Sequence, residues 1–461
     1  FIYFYIKYII GCLTLYYTTN SSSNNLVMHS KIMNFFDNIN VDQIAFDTKF
    51  CHRAYRKVSP KLFLLSCFMC FTKSNFSLRQ WAICLSQLAG NIVSHQSLDK
   101  KLHFNRKDFV SELVNKLCLQ NLSNVSAQTT GILSRFNRVL VQDSTLVNLP
   151  QSHYGYSSGI SNGNSVKAMG RIQVVFDLVS NAVIKMEKCT YTSNDRSYAR
   201  EIIKLLNKGD LLLRDLGYFV TSVFKDIHNI GAFYISKLSV GICIFDEKTG
   251  EEIDLVKLIK AKEKKGIFKF DMNVLLNKKE KIRVRVFGYK VSAEQAMKKR
   301  QQQINSRHKD CTISNKSKFL ANYNIYITNI AEEEISGMEL FEIYKLRWTI
   351  EIMFKEWKQN FDLNKLMYCS KTPSEARSEM LLNLLLLYIL IITGPQFSQL
   401  KLRIYEKYGK HLSPIKFSKF WRNNYEPDMD FNQDLYLELL ARFACYDKRT
   451  DRKSFGEVLD T

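Results

Sequence analysis

Residues 138–143 read Arg-Val-Leu-Val-Gln-Asp, a short apolar run that ends in an acidic residue. Residues 211–215 repeat this arrangement as Leu-Leu-Leu-Arg-Asp. Short apolar runs bounded by turn residues are typical of buried β-strands. The two runs therefore predict two strands, and each of them ends in an aspartate, Asp143 in the first strand and Asp215 in the second.

The segments between these two runs predict the order of the elements. A loop is predicted at 153–164, strands at 171–178 and 182–190, and a helix at 195–206 that stops at 207–209. The order is therefore strand, strand, strand, helix, strand. In an RNase H-like sheet the first and fourth of these strands are neighbours, which would place Asp143 beside Asp215 although they are 72 positions apart. The alternative is a pair of solvated aspartates at strand ends.

A third acidic residue lies on a helix predicted over 344–358, Tyr-Lys-Leu-Arg-Trp-Thr-Ile-Glu-Ile-Met-Phe-Lys-Glu-Trp-Lys. At about 100° per residue its apolar and polar side chains separate into two stripes. The apolar stripe, which we expect to be buried, consists of Ile343, Leu346, Ile350, Met353, Phe354, Trp357 and Phe361. The polar stripe consists of Tyr344, Arg347, Glu351, Lys355 and Lys358.

This polar stripe suits phosphodiester chemistry. Two-metal cleavage needs carboxylates that hold ions roughly 3.5–4 Å apart, and Glu351 would join Asp143 and Asp215 as the third ligand. The side chains of Arg347 and Lys358 suit the non-bridging oxygens of a phosphate. The alternative is a solvated helix face that carries an Arg347–Glu351 pair at i,i+4 spacing.

The spacing Tyr344-x2-Arg347-x3-Glu351-x6-Lys358 resembles the Y-(2)-R-(3)-E-(6)-K signature of the fourth insertion-sequence group of bacterial DDE transposases. Val-Gln-Asp-Ser-Thr at 141–145 and Arg-Asp-Leu-Gly-Tyr-Phe at 214–219 are similar to the family's turns around its first and second acids. Residues 171–177 look like the family's second strand. The resemblance covers roughly residues 75–395 and implies a cut-and-paste DNA transposase.

The resemblance also implies site residues and a cofactor. Asp143, Asp215 and Glu351 would be the catalytic and metal-binding residues, with Mg²⁺ as the cofactor and Mn²⁺ as a substitute. Candidates for contact with DNA are Tyr344, Arg347, Lys355, Lys358, Trp348 and Tyr323. An aromatic side chain from the strand before the signature helix, Tyr323 or Tyr326, would stack on a flipped base, and the alternative for either tyrosine is packing in the core.

The implied reaction begins with nicking at the transposon ends. The free 3′-hydroxyl then forms a hairpin, which is reopened before strand transfer into target DNA. The implied partners are double-stranded DNA at the terminal inverted repeats and target DNA, bound by a homodimer in a paired-end complex. Other interpretations are a different two-metal nuclease on the same fold, an inactive or repurposed transposase that only binds DNA, and a membrane-anchored basic protein.

The complete prediction is an α/β protein. It has an RNase H-like catalytic core with a mainly β insertion, preceded by an α-helical N-terminal domain and followed by a helical C-terminal region. Strands of the insertion are predicted at 242–245, 267–270, 282–287 and 323–328. The predicted domains are an apolar leader at 1–27, a helical DNA-binding domain at 28–135, the first part of the core at 136–232, a β-rich basic insertion at 233–330, the second part of the core with the signature helix at 331–395, and the helical C-terminal region at 396–461.

Residues 77–102 outline a helix-turn-helix within the N-terminal domain. Ser77 is a plausible start for a first helix, Gly90-Asn91 interrupts the pattern, and a basic polar helix begins near Ser94. This outline is that of a DNA-reading motif, although any small helical bundle contains such a turn.

Charge and cysteine content indicate the partner and the compartment. The formal net charge of +22 favours a polyanion, with nucleic acid ahead of an anionic membrane surface. Eleven scattered cysteines exclude a disulfide framework and fit a reducing cytoplasm, where the protein would be nucleoid-associated. Cys67 and Cys70, with Cys51 and His52 upstream, could be zinc ligands, but their apolar neighbours favour buried thiols on a core helix.

Two apolar stretches raise the question of a membrane. Residues 1–19 have nearly spanning length and are either translated sequence upstream of Met28 or Met33, or a signal anchor. Residues 380–393 are too short to span and contain Asn383. They predict a buried helix, and no membrane partner is expected.

Overall fold

The computed structural model describes residues 27–51, 58–71, 76–103, 107–123, 131–153, 158–162, 165–305, 312–365, 375–424 and 433–447. Two compact units divide the chain: one runs up to Phe109 and includes Leu400–Cys445, and the other contains Val110–Gln399 and the residues after Cys445. Residues 1–26 of the predicted leader, the candidate zinc ligand His52 and residues 306–311 of the predicted basic insertion lie outside the described residues.

The helices and strands are numbered separately in chain order. The helices are α1 (Val27–Asn38), α2 (Val41–Asp47), α3 (Pro60–Phe71), α4 (Leu78–Ala89), α5 (His95–His103), α6 (Lys107–Ser123), α7 (Asp195–Tyr198), α8 (Thr221–Ile230), α9 (Leu255–Lys264), α10 (Ala293–Asn305), α11 (Asn315–Leu320), α12 (Gly337–Lys345), α13 (Trp348–Gln359), α14 (Glu375–Ile391), α15 (Phe397–Tyr408), α16 (Pro414–Asn424) and α17 (Gln433–Phe443). The strands are β1 (Val139–Asn148), β2 (Ser158–Asn162), β3 (Ser165–Asp177), β4 (Ala182–Thr190), β5 (Leu211–Arg214), β6 (Phe233–Lys237), β7 (Ile244–Asp246), β8 (Lys269–Leu276), β9 (Ile282–Lys290) and β10 (Tyr323–Thr328).

The two helices predicted on either side of Gly90 are present as α4 and α5. The Ser77 hydroxyl accepts a hydrogen bond from the backbone amide of Gln80 at 3.1 Å and caps α4. Gly90 ends that helix with a φ of 63°, in the left-handed region that glycine adopts without strain. Cys67 and Cys70 are buried on α3, which agrees with the expectation of core thiols.

A ten-stranded sheet forms the centre of the second unit, and the four strands predicted up to residue 215 are present in the predicted order as β1, β3, β4 and β5. β3 pairs antiparallel with both β1 and β4. β1 pairs in parallel with β5, and β5 in parallel with β6. The predicted adjacency of the first and fourth strands is therefore confirmed, and the mixed α/β arrangement is consistent with an RNase H-like core.

The inserted strands extend this same sheet rather than forming a second layer. β10 pairs antiparallel with β6, and the order continues through β9, β8 and β7. β6, which the predicted boundaries place in the insertion, pairs with β5 on one side and with β10 on the other. The lysine-rich segments α9 and α10 are helical, so this region is mixed rather than mainly β.

Several element bounds differ from the sequence-based expectations. β1 continues past Asp143 because residues as far as Asn148 pair with β3. The predicted loop at 153–164 contains β2. The helix expected at 195–206 is reduced to α7 and a 3-10 turn at Glu201–Lys204, so the helical pattern there was overestimated.

The apolar segment at 380–393 is a core helix, as predicted. The Asn383 amide on α14 donates a hydrogen bond to the Ser111 hydroxyl at 2.9 Å, which satisfies this buried polar group. One helical run in the described part of the chain, Ala376–Tyr408, is long and apolar enough to cross a membrane by length and composition alone. However, 94% of its apolar window is buried inside the protein.

Candidate active site

The register of β1 and β5 brings two aspartates to the same level of the sheet. Gln142 is paired with Arg214, so Asp143 and Asp215 each occupy the next position along neighbouring parallel strands. Strands in a sheet lie about 4.8 Å apart, and side chains at matched parallel positions project to the same face. The 72 intervening residues therefore do not separate the two carboxylates in space.

An ion pair at the other end of these strands fixes that register. Arg138 and Asp210 precede β1 and β5, and both side chains are buried. The Arg138 Nε donates to Asp210 Oδ1 at 3.0 Å. The Leu211 amide donates to the Arg138 carbonyl at 2.8 Å. A one-residue slip would leave a buried charge unpaired, which costs several kcal/mol.

The third acid, Glu351, lies in the first turn of α13. Instead of one continuous helix, α12 and α13 are separated at Leu346 and Arg347, where the Thr349 amide bonds to the Leu346 carbonyl in a tighter i−3 turn. Both separating residues keep right-handed helical backbone angles. The predicted apolar stripe is confirmed, because all of its members are buried: Ile343, Leu346, Ile350, Met353, Phe354, Trp357 and Phe361.

Arg347 connects two of the three acids. Its side chain is 5% exposed, Nη2 donates to Glu351 Oε1 at 2.5 Å, and Nη1 lies 3.4 Å from Asp143 Oδ2. The i,i+4 pair expected from the sequence is therefore present, but it is part of a larger arrangement. The guanidinium brings the helix acid and a strand acid to one place, which a solvated helix face would not do.

The electrostatics of Asp143 fit a site that is completed by a cation. Burial raises the pKa of Asp143 to about 7, and the charges of Asp215 and Glu351 act in the same direction. The Ser144 backbone amide and Arg347 lower this pKa but do not compensate fully. A carboxyl whose pKa lies near neutral pH, beside two further acids, is typical of functional sites.

The tyrosines proposed for DNA contact are buried. The Tyr344 hydroxyl donates to the Arg214 carbonyl at 3.1 Å, directly before Asp215. The Tyr323 hydroxyl donates to Glu263 at 2.9 Å, and the Tyr326 ring packs against that of Tyr344 with centroids 4.7 Å apart. The core-packing alternative therefore describes Tyr323 and Tyr326 in this structure, and a base could stack on either ring only after a rearrangement.

The remaining signature residues are more accessible. Trp348 is 60% exposed and its ring lies 6.0 Å from the Arg347 guanidinium carbon. Lys355 is exposed and Lys358 is half-buried, and burial lowers the pKa of Lys358. An exposed indole and two amines thus lie on the helix that carries Glu351.

Sequence analysis missed a polar network centred on Asp195. Its Oδ1 accepts hydrogen bonds from the Ser144 hydroxyl at 2.7 Å, Arg171 at 3.1 Å and Gln173 at 3.1 Å. A Cβ on Gly217 would lie only 3.2 Å from Asp195 Oδ2. Asp195 therefore connects the residue after Asp143 with the turn after Asp215, a role that no spacing in the sequence indicates.

Lys237 was also missed. It ends β6, and its Nζ lies 3.8 Å from Asp215 Oδ1. The pairing of Arg214 with Ser236 places Lys237 at the same level as Asp215 on the neighbouring strand. The sequence did not predict the pairing of β6 with β5, and only this pairing would have revealed the position of Lys237.

The donor chemistry of the three acids fits a hard divalent ion. Carboxylate oxygens are the protein ligands that Mg²⁺ and Mn²⁺ prefer. Among the described residues, no three His, Cys, Asp or Glu side chains are already close enough to form a complete metal cluster. The guanidinium of Arg347 bridges Asp143 and Glu351 instead.

Two acids at matched positions of adjacent strands and a third on a helix joined to them by Arg347 are consistent with the class of metal-dependent phosphoryl-transfer enzymes built on RNase H-like cores. The Transposase DDE domain family matches residues 134–390. This match covers more than half of the chain, so the chain belongs to the DDE transposase family, as the signature predicted. It is a DNA transposase of the bacterial insertion-sequence type, and the family uses divalent metal.

The relatives include two insertion-sequence transposases. The chain is 25% identical over 405 residues to the transposase of IS231B from Bacillus thuringiensis subsp. berliner, covering 81% of this chain and 82% of the relative. It is 23% identical to the transposase of IS1151 from Clostridium perfringens, covering 74% and 75% respectively. A piggyBac transposase synaptic complex with hairpin DNA aligns over 90% of this chain and 84% of its own, with 10% identity and a TM-score of 0.45.

Proposed function

We propose that Asp143, Asp215 and Glu351 are the metal-holding catalytic residues of this transposase and that Mg²⁺, or Mn²⁺ in its place, is the cofactor. The observation that supports this most strongly is the joint position of the three acids. Two of them follow the last paired positions of β1 and β5, and Arg347 connects Asp143 with the third.

Bound divalent ions would supply an activated oxygen nucleophile and stabilise the leaving oxygen during phosphodiester cleavage. The protein's part is to position the groups beforehand. Tyr344 holds the Arg214 carbonyl and thereby the backbone that leads into Asp215. Asp195 holds Ser144, the residue after Asp143. Burial above all, and the charges of Asp215 and Glu351 in addition, hold the pKa of Asp143 at about 7, so a bound cation would favour loss of its proton.

We assign DNA contact to the exposed part of the signature helix. Trp348 presents an open aromatic face, on which any base can stack. Lys355 and Lys358 project from the following turns, where they can neutralise backbone phosphates. Arg347 would move from its carboxylate partners toward a phosphate once a metal ion takes over those carboxylates.

The proposed reaction is hydrolytic nicking at the terminal inverted repeats, hairpin formation, reopening and strand transfer into target DNA. A homodimer would hold the two ends in a paired-end complex in the cytoplasm. α4 and α5 would read the end sequence as a helix-turn-helix. In this layout the strands β1–β6 with α12–α14 form the RNase H-like core, and the chain between β6 and α12 forms the insertion.

A cleavage assay tests this assignment. The full chain is incubated with Mg²⁺ and DNA that carries the ends flanking its own gene, with Asp143→Ala as the matched variant. Nicks and hairpins at the ends are expected for the wild type and not for Asp143→Ala, which should still bind the DNA. Binding without cleavage by both proteins would instead favour a silenced or repurposed DNA-binding protein.

A further inference from the structure

The side of Asp215 that faces away from Asp143 carries positive charge. β6 follows β5 in the sheet, and Lys237 lies beside Asp215 at its end. The Lys237 side chain is 44% exposed, and Asp215, at 3.8 Å, is its carboxylate partner among the described residues. The ammonium group is therefore accessible to a ligand that lies over the site.

A second lysine, Lys299, lies close enough to Lys237 for their charges to interact. Lys299 on α10 donates to the Tyr323 carbonyl at 2.8 Å and to Asn324 Oδ1 at 2.5 Å. Both acceptors are neutral, and the described residues offer Lys299 no carboxylate. Burial first, and the charge of Lys237 second, lower the pKa of Lys299 to about 8. The two amines therefore repel each other, and Lys299 is the one that is fixed.

The charges on this side do not balance once a metal ion is bound. Of the two amines, only Lys237 has a carboxylate partner among the described residues, Asp215, and that carboxylate is the one proposed to bind metal. A divalent ion on Asp215 would leave Lys237 next to a further positive charge. An anion above the sheet edge restores the balance, and for a DNA transposase the available anion of this kind is a backbone phosphate.

We propose that Lys237, backed by Lys299, forms a phosphate subsite for the DNA strand that enters the active site on the side of Asp215, opposite Arg347. This inference rests on the proposed catalytic role of Asp215. In the subsite Lys237 exchanges its contact with Asp215 for a non-bridging phosphate oxygen. Lys299 acts as a positioning residue, because its fixed charge keeps the Lys237 ammonium directed toward the acids.

The test combines Lys237→Met with a charge deletion in the DNA. End DNA duplexes are made with a single neutral methylphosphonate at each position around the scissile bond, and single-turnover cleavage is measured. Loss of one charged contact should slow Lys237→Met about tenfold or more. The slope of log affinity against log salt concentration should become shallower by about one. Lys237→Arg should recover most of both effects, because it keeps the charge.

The decisive question is whether Lys237→Met and one of the methylphosphonates remove the same contact. One methylphosphonate position should slow the wild type but add nothing further in Lys237→Met. If every methylphosphonate retains its full effect in Lys237→Met, or if the salt slope does not change, Lys237 does not bind a phosphate and only balances Asp215. Lys204→Met is the matched control, because Lys204 is an exposed lysine paired with Glu201 at 2.9 Å, and it should behave as the wild type.

A separate outcome identifies failure of the underlying assignment. If Asp215→Ala cleaves the unmodified duplex as fast as the wild type does, the catalytic role of Asp215 is wrong, and the subsite loses its basis. If Asp215→Ala is inactive while Lys237→Met is fully active, the acid assignment stands and the phosphate subsite is rejected.

Discussion

The two sides of the proposed active site hold their cations differently. On the Asp143 side, Arg347 is 5% exposed and bridges two carboxylates. On the Asp215 side, Lys237 is 44% exposed, and its carboxylate partner among the described residues, Asp215, lies 3.8 Å away. A buried cation with two partners is part of the folded structure, whereas an exposed cation with one distant partner is available to a ligand. In the metal-free protein, stability should therefore depend on Arg347, whereas Lys237 is open to DNA before any metal ion binds.

Arg347→Ala should have the largest effect. Removing a buried guanidinium leaves Asp143 and Glu351 beside each other without their common partner, so unfolding should become easier by about 3 kcal/mol. Denaturant unfolding in the absence of metal measures this change. Lys237→Met is the comparison and should unfold like the wild type, and equal losses for both variants would remove the distinction between the two sides.

The second largest effect should be a dependence of stability on pH that is caused by Asp143. Because the folded-state pKa of Asp143 is raised to about 7, the folded state binds the proton more tightly than the unfolded chain does. The contribution to stability is full below about pH 4 and is lost as the pH rises toward 7. Over this range metal-free protein should lose on the order of a few kcal/mol.

Asp143→Asn is the control for that measurement, since its amide does not titrate. The decline between pH 4 and 7 should be smaller in this variant. Mg²⁺ should restore stability to the wild type at pH 8 and have little effect on the variant. Identical pH profiles for the two proteins would mean that the fold does not raise the pKa of Asp143.

Trp348→Ala should weaken DNA binding without changing stability. The ring is 60% exposed, so little packing is lost, whereas stacking of a base on an aromatic ring contributes about 1–3 kcal/mol. Fluorescence anisotropy with end DNA measures the affinity, and thermal unfolding provides the control. A lower melting temperature with unchanged affinity would place the ring in the fold and not at the DNA.

Tyr344→Phe should have the smallest effect of these variants. It removes one hydrogen bond, to the Arg214 carbonyl, and should destabilise the protein by about 1 kcal/mol. Cleavage should slow modestly while DNA affinity stays constant. A selective loss of DNA affinity would return Tyr344 to the phosphate-contact role that its place in the signature first indicated.

The positions of the three acids could be predicted from the sequence, and the position of Lys237 could not. Asp143 and Asp215 follow two recognisable apolar runs, and the order of elements between them matches an RNase H-like sheet, in which these two strands are neighbours. The 3.6-residue period likewise placed Glu351 and Arg347 on one face of a helix. These inferences depend on local patterns, which a single sequence contains.

Lys237 and Asp195 depend instead on pairing and packing between distant segments. The sequence of Phe233–Lys237 carries no signal that this strand pairs with β5. Asp195 begins a helix that is shorter than its sequence pattern predicted. The lysine-rich helices α9 and α10 were not predicted for a different reason. The strand-like runs on either side of them favoured a β-rich region.

Direct measurement of metal binding tests the central claim, that Asp143, Asp215 and Glu351 form one metal centre. Mn²⁺ binding to the full chain in the presence of end DNA is followed by electron paramagnetic resonance for the wild type, Asp143→Asn, Asp215→Asn and Glu351→Gln. Each single substitution should weaken Mn²⁺ binding by at least about tenfold, while DNA binding is retained. Unchanged Mn²⁺ affinity in Glu351→Gln would contradict the claim, because the helix acid would then not share an ion with the two strand acids.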